Sequence, residues 1–352
     1  MSDLYKTLVR PLFFKMDAET AHEIVCEFLA YVEKFPLFKK VLEALLHSPK
    51  DEIKAFGLTF PNVLGLAAGF DKNGMFPGIS SALGFGHIEV GTVTPKPQQG
   101  NRKPRLFRVL EQNSIINRMG FNNYGAEAMG RRLEKYYPKQ DRISPLGINI
   151  GKAKPTPMEE TLEDYLQCID FLHKSADYFT INISSPNTPK LRELHKEEFL
   201  DPLLKGIDER LKQVAKKTSK KKIPYLLKIS PDEDFSSIEK ILEIAIGRNV
   251  GGIIATNTTV ARPNEINHRE AGGLSGKAIE KKSLEIIKFI NQLTNDKIPI
   301  VGVGGISDGN SATKKIDSGA CLLQIYSGLV FEGPLLPKKI LAELHQRKVW
   351  FS

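Results

Sequence analysis

The sequence predicts a (β/α)8 barrel preceded by a helical extension, and three observations carry that reading. Eight short apolar segments rich in β-branched residues alternate with helical patterns from residue 60 onward. Each apolar segment ends in polar or glycine-rich residues, as barrel strands do where they present chemistry at one face. Residues 1–50 instead read as helices throughout. At 352 residues and 41% hydrophobic content, the chain can bury one barrel-sized core plus an appendage. The expected division is 1–50 for the extension and 51–352 for the barrel.

Thr20-Ala-His-Glu23 fits a capping box. Behind it Ala21, Ile24, Val25, Phe28, Leu29 and Val32 recur at spacings of three and four, the stripe of an amphipathic helix. A second stripe, Leu37, Phe38, Val41, Leu42, Leu45 and Leu46, follows a break at Phe35-Pro36. Two such helices either pack on the main domain or turn their apolar faces to lipid or a lipophilic ligand. Strands are predicted over 62–67, 87–91, 146–150, 178–183, 224–229, 251–256, 299–303 and 321–325. Helices are predicted over 159–173, 197–215, 235–246, 281–293 and 309–318. The long gap between the second and third strands holds 105–110 and 114–116, read as an inserted hairpin.

Composition narrows the function classes. The cysteines Cys26, Cys168 and Cys321 are far apart, which argues against zinc and a disulfide framework and suits a reducing compartment. No metal site is expected. No signal-peptide pattern and no apolar run of about 18 residues is present. The net charge is +9, and Lys216, Lys217, Lys220, Lys221 and Lys222 supply much of it at the end of a helical stretch. That placement suits a solvated helix C-terminus, though a basic surface also favours anionic lipid or an acidic substrate.

The strand exits collect the chemistry. The first gives Ala68-Gly69-Phe70-Asp71-Lys72-Asn73-Gly74, the second Thr92 and Thr94, the third Asn149. In the fourth, Thr180-Ile-Asn-Ile-Ser-Ser-Pro-Asn-Thr188, a strand breaks at Pro186 and leaves Asn182, Ser184, Ser185 and Asn187 together. Alone it fits a plain turn equally well. Lys228, Thr256-Asn257-Thr258, Gly302-Val303-Gly304-Gly305 and Tyr326-Ser327-Gly328 follow. Glycines after the last two strands, with Gly272-Gly273-Leu274-Ser275-Gly276, suit a phosphate-bearing cofactor. No GxGxxG opens a βαβ unit, so this is not a dinucleotide fingerprint. Lys72 and Lys228 fit three roles: a Schiff-base nucleophile, a fixed charge for an anionic ligand, or a salt bridge, Lys72 with Asp71.

Ala67-Ala-Gly-Phe-Asp-Lys72, Asn117-Arg-Met-Gly-Phe-Asn122, Gly147-Ile-Asn-Ile-Gly-Lys152, 181–187, Ala255-Thr-Asn-Thr258 and 302–305 together resemble the dihydroorotate dehydrogenases, in order, over about 55–332. Ser185 and the N-terminal helices resemble the quinone-dependent, membrane-associated class; the soluble classes use cysteine as base. The resemblance implies FMN in the barrel mouth and oxidation of (S)-dihydroorotate to orotate in pyrimidine synthesis. It implies FMN contacts from Ala68, Gly69, Phe70, Asp71, Lys72, Thr92, Asn149, Asn182, Lys228, Thr256, Gly276, Gly305, Tyr326 and Ser327. For orotate it implies Lys72, Asn117, Arg118, Met119, Gly120, Phe121, Asn182, Asn187, Asn257 and Thr258. Ser185 would take the C5 proton, with Thr188 and a water beside Phe121 as its relay.

Under the same resemblance His22, Arg108 and Tyr326 are candidates for the quinone head, reached between the helices; His22 fits equally a surface histidine tied to Glu19 or Glu23. The chain is then a monomer at the cytoplasmic side of the cell membrane, peripheral to it, with no nucleic-acid partner. Three rivals make other demands. An FMN barrel that reduces uridine in RNA predicts an RNA-binding appendage after the barrel. A Schiff-base aldolase predicts a colourless protein. An inactive barrel used as a docking surface predicts loss of polar exits, and all eight are polar here.

Overall fold

A computed structural model describes residues 4–46, 51–263, 266 and 268–347. A helical segment ending in α1 (Arg10–Phe14) leads into α2 (Ala18–Val32) and α3 (Pro36–Leu45). The α2 start differs from the predicted capping box. Asp17 is the N-cap, accepting the Thr20 N–H at 2.9 Å, so Thr20 lies inside the first turn. An aspartate cap is the stronger acceptor at a helix N-terminus, and it wins. Pro36 opens α3, where its missing N–H costs nothing.

The hairpin of β1 (Ile53–Ala55) and β2 (Leu58–Phe60), unforeseen from sequence, turns on Phe56 and Gly57, both with positive φ. Its Phe56 and Phe60 plug the floor of the barrel, edge-on to Tyr178 and His87. The barrel begins with β3 (Leu64–Leu66), α4 (Pro77–Ala82) and β4 (His87–Val93). Then β5 (Leu106–Val109) and β6 (Ser114–Asn117) form the predicted inserted hairpin, followed by α5 (Ala126–Tyr136). The alternation resumes with β7 (Leu146–Ile150), α6 (Thr161–Leu172), β8 (Tyr178–Asn182), α7 (Glu197–Thr218), β9 (Tyr225–Lys228), α8 (Phe235–Gly247) and β10 (Gly252–Ala255). It ends with β11 (Gly273–Gly276), α9 (Glu280–Thr294), β12 (Ile300–Val303), α10 (Gly309–Asp317), β13 (Leu322–Ile325), α11 (Ser327–Glu332) and α12 (Leu336–Gln346).

Eight parallel strands close in the order β10-β12-β13-β3-β4-β7-β8-β9. All eight predicted strands are present, shorter than predicted by a residue or two at most ends. The predicted hairpin has a third strand, because β11 pairs antiparallel with β6. The glycine-rich segment read as a phosphate loop is therefore partly a strand. A Cβ at Gly273 would lie 2.0 Å from Thr258 Oγ1, so close packing explains that glycine before any ligand does.

Glycine also builds the barrel interior. A Cβ at Gly65 or Gly147 would lie 2.1 Å from the His87 or Tyr178 ring respectively. Large side chains at the floor fit because neighbouring strands offer none there. Outside the strands, fully buried aliphatic residues on α6, α7 and α9 pack on the barrel wall. Each contributes roughly 1.5–3 kcal/mol by leaving water.

The extension is held differently. Glu19 of α2 forms a buried pair with Arg105 at 2.7 Å, and Glu33 accepts N–H groups of Gly78 and Ile79 at the start of α4. Tyr5 and Arg10 reach the carbonyls of Val330 and Phe331. Large apolar side chains remain outside, including Leu12, Phe28, Tyr31, Leu37 and Leu45, each more than 60% exposed.

Candidate active site

The strands deliver their C-terminal residues to one cavity at the barrel mouth. Its wall includes Ala68, Gly69, Lys72, Thr92, Asn182, Ser185, Asn187, Lys228, Thr256, Asn257, Thr258, Gly305, Tyr326 and Ser327. The inserted sheet and the segments that follow it roof the cavity with Asn117, Met119, Gly120, Phe121 and Gly276. Most of the sequence-predicted residues therefore converge. Sequence reasoning missed the apolar contributors Leu106, Ile115, Ile279 and Ile306, which carry no distinguishing signal, and also Gln324.

Asn149 acts from behind the wall. Its Oδ1 accepts from Thr92 Oγ1 at 2.6 Å and from Asn182 Nδ2 at 3.1 Å, while its Nδ2 donates to the buried Glu89. Asn257 Nδ2 in turn donates to Asn182 Oδ1 and to Ser184 Oγ. Across the mouth Asn187 Nδ2 donates to Asn117 Oδ1 at 3.0 Å. These amides lock each other's orientation, so the donors and acceptors left facing the cavity have fixed directions.

Two cations stand in this setting without partners. Lys228, buried at the end of β9, makes no hydrogen bond or ion pair among the described residues. Burial pushes its ammonium below the ordinary lysine range, and the charge of Glu89 opposes that. Lys72 is likewise unpaired, and burial lowers it too. The Asp71–Lys72 salt bridge is not formed. Asp71 spends its carboxylate on the N–H groups of Asn73, Met75 and Phe76, folding its own loop. An unpaired buried cation facing a cavity is costly unless an anion comes to it.

Ser185 lies on the loop after β8, and its Oγ accepts the Asn187 N–H at 3.3 Å. Arg192 braces the loop, paired with Asp232 at 2.9 Å. Thr188 Oγ1 is buried with no hydrogen-bond partner among the described residues, and Phe121 sits at φ 53 after Gly120. None of the three cysteines contributes to the cavity.

Other expected residues lie elsewhere. Arg118 stacks on Phe107 and pairs with Glu270, outside the cavity. Phe70 stands between barrel and α2, edge-on to both Tyr326 and His22. His22 is tied to neither Glu19 nor Glu23; its ring lies 3.4 Å from the Cys26 sulfur. Burial, helped by Lys72, pushes the His22 imidazole down to about 3. Arg108 donates to the Phe13 and Met16 carbonyls and lies over Phe14. A second cavity separates α2 from the barrel, lined by His22, Cys26, Phe70 and Tyr124 and sharing Lys72 and Met119 with the first.

The comparisons agree with this geometry. A family model described as dihydroorotate dehydrogenase matches residues 51–347. The chain is 46% identical over 332 residues to a dihydroorotate dehydrogenase (quinone) of Chromobacterium violaceum, covering 94% of each. It is 44% identical to that of Cronobacter sakazakii, covering 97% of this chain and 100% of the relative. The crystal structure of the Eimeria tenella enzyme with ferulenol superposes with a TM-score of 0.83 at 32% identity, covering 93% of each chain. The chain belongs to the dihydroorotate dehydrogenase family, and within it resembles the quinone-dependent enzymes.

Proposed function

We propose that this protein oxidises (S)-dihydroorotate to orotate with FMN and passes the electrons to a membrane quinone, serving pyrimidine synthesis. The observation that carries the reading is the unpaired, buried Lys228 ammonium facing a cavity walled by mutually fixed amides. FMN fits that donor set: Lys228 would offer a positive charge to the electron-rich edge of the ring, and the ladder of Asn182 and Thr92 would supply directed polar contacts. At the other end, Gly305 (φ 78) and Gly328 line the cavity after the last two strands, where their backbone N–H groups would be available to a phosphate. FMN, when bound, supplies the acceptor for the C6 hydride and the route of electrons to quinone.

The chain's own groups do the rest. Asn117, Asn187 and Asn257 match the imide and amide edges of a planar orotate, and Lys72 supplies charge for its carboxylate. Met119 and Gly120 complete that pocket, with Phe121 and Thr258. Ser185 Oγ takes the proton from C5. A serine hydroxyl holds its own proton tightly, so it needs somewhere to send it. The unpartnered Thr188 Oγ1 beside this loop is the relay, through a water near Phe121.

The extension serves the second half-reaction. Tyr326 and Phe70 join the barrel mouth to the α2 face, where His22 is held neutral as a hydrogen-bonding group for a quinone head. Arg108, engaged with Phe13 and Met16, fixes the end of α1 instead of facing either cavity. The exposed apolar side chains of residues 4–46 favour peripheral attachment at the cytoplasmic membrane surface. The division is then 1–50 for quinone access and 51–352 for catalysis, in a monomer. No described helix is long and apolar enough to cross a membrane.

The test is anaerobic and spectroscopic. Dihydroorotate should bleach the flavin, and a short-chain quinone, but neither NAD nor fumarate, should restore it. Recovery with NAD or fumarate would overturn the role of the helices. A flavin that dihydroorotate cannot bleach would overturn the substrate.

A further inference from the structure

Four side chains inside the barrel aim their donors at one carboxylate that the proposed reaction does not use. Glu89, in the middle of β4, is fully buried. Its Oε1 accepts from Asn149 Nδ2 at 2.8 Å. Its Oε2 accepts from Gln324 Nε2 at 2.8 Å, Thr180 Oγ1 at 3.0 Å and the Tyr178 hydroxyl at 3.5 Å. The amide N–H groups of Asn149 and Gln324 only donate, and the Thr180 and Tyr178 hydroxyls can donate too, so both carboxylate oxygens are met by donors. A buried charge of this kind is costly unless an opposite charge answers it.

The cation on the same barrel interior is Lys228. Both groups are buried in the barrel, Glu89 within β4 and Lys228 at the exit of β9, and neither has an ion-pair partner within contact distance among the described residues. Two other titratable groups belong to the same interior. Tyr178 donates to Glu89, and burial holds the His87 imidazole down at about 3, hence neutral. A chain of contacts links Glu89 to Lys228: Glu89 accepts from Asn149, Asn149 accepts from Asn182, and Asn182 stands opposite Lys228 in the β8–β9 register. Through Asn149, Glu89 also fixes the amides of the cavity wall.

We propose that Glu89 is a positioning residue for the cofactor: it orients the Asn149–Thr92–Asn182 ladder and keeps Lys228 charged where it faces the cavity. The proposal rests on reading that cavity as the FMN site. It explains why an apolar barrel strand carries a carboxylate at its centre, where an aliphatic side chain would fill the layer more cheaply.

The experiment is the midpoint potential of bound FMN, measured against a reference dye from about pH 6 to 9 in wild type and Glu89→Gln. Wild type should follow one line across the window. In Glu89→Gln the line should bend downward where Lys228 loses its proton, because the reduced ring then loses its partner. Above the bend the oxidised-to-reduced ratio should move about tenfold toward oxidised, ~30 mV for a two-electron couple. The bend should vanish in Glu89→Gln combined with Lys228→Met, which identifies the ionising group. A Glu89→Gln protein that holds FMN and follows the wild-type line throughout overturns the proposal, as does a bend that survives without Lys228. If Glu89→Gln does not fold, Thr180→Val with Gln324→Met strips two of the four donors; a smaller bend supports the proposal and an unchanged line overturns it. Failure of the wild-type protein to take up FMN would sink the cavity assignment itself, which is a distinct result.

Discussion

The barrel and the N-terminal helices solve opposite problems with the same kinds of residue. In the barrel, apolar side chains are buried and polar ones converge on a cavity, fixed by each other. In the helices, a thin apolar seam through Val32, Leu29 and Phe14 is joined by the polar attachments of Glu19 and Glu33, and many large apolar side chains face outward. A scaffold that must hold donors to a fraction of an ångström needs a dense core behind them. A segment that must meet lipid can be tethered by a few strong polar contacts, provided they are shielded. The comparison predicts that changes in the two regions separate kinetically.

The largest effect should come from Ser185→Ala. Reduction of the flavin by dihydroorotate should slow by about 10²–10⁴. Reoxidation of chemically reduced enzyme by quinone should keep its rate, as stopped-flow absorbance would show. Equal loss in both halves would break the separation. Arg105→Met should act in the reverse sense. It leaves the buried Glu19 with only the longer, half-exposed contact to Lys103 at 3.5 Å, at a cost of up to about 3–5 kcal/mol. Limited proteolysis should then cut within α2 or α3 while the barrel keeps its melting transition.

The barrel floor should respond oppositely. Gly147→Ala sets a methyl 2.1 Å from the Tyr178 ring, and overpacking of that kind costs roughly 1–3 kcal/mol. The melting temperature should fall with no new cleavage in the helices. Acid sharpens the same contrast. Burial pushes the Glu19 carboxyl up, but Arg105 and Lys103 more than offset it and hold it below the usual value. A depressed folded-state value contributes stability above the unfolded value of about 4.5 and loses it as pH falls through the folded one. Below about pH 4.5, protease sensitivity of α2 should rise before the barrel's circular dichroism changes.

How much of this was legible in sequence follows from which rules are local. Strand bodies and their polar exits obey a period of two and a break, so all eight barrel strands and most of the cavity could be read. The start of α2 was ambiguous, because the Thr20–Glu23 spacing fits a capping box while Asp17 is the stronger cap by residue type, and the stronger cap prevails. Glycines were the most ambiguous signal. Gly147 serves close packing alone, while Gly305 and Gly328 are closely packed and also line the cavity, and nothing in the residue type tells them apart. Glu89 did carry a signal, a charge set between Ile88 and Val90 within a strand. Its meaning needed the donors of β7, β8 and β13, which only the closed barrel brings together.

The smallest effect tests the outward face of the helices. Phe28 and Leu37 are 61% and 76% exposed, so replacing either with serine should leave folding and dihydroorotate-driven bleaching alone. Each loses the transfer of one large apolar side chain into lipid, about 1–2 kcal/mol, or roughly tenfold in partition to anionic vesicles. Cosedimentation reads that directly. Raised salt should weaken wild type and both variants alike, since screening acts on the surrounding lysines and not on the apolar contact. The double variant should then reduce turnover with a long-chain quinone in vesicles, yet not with a short-chain quinone in solution. If both quinones were affected equally, the apolar face would belong to the cavity's chemistry and not to the membrane, and the contrast between the two regions would fail at that point.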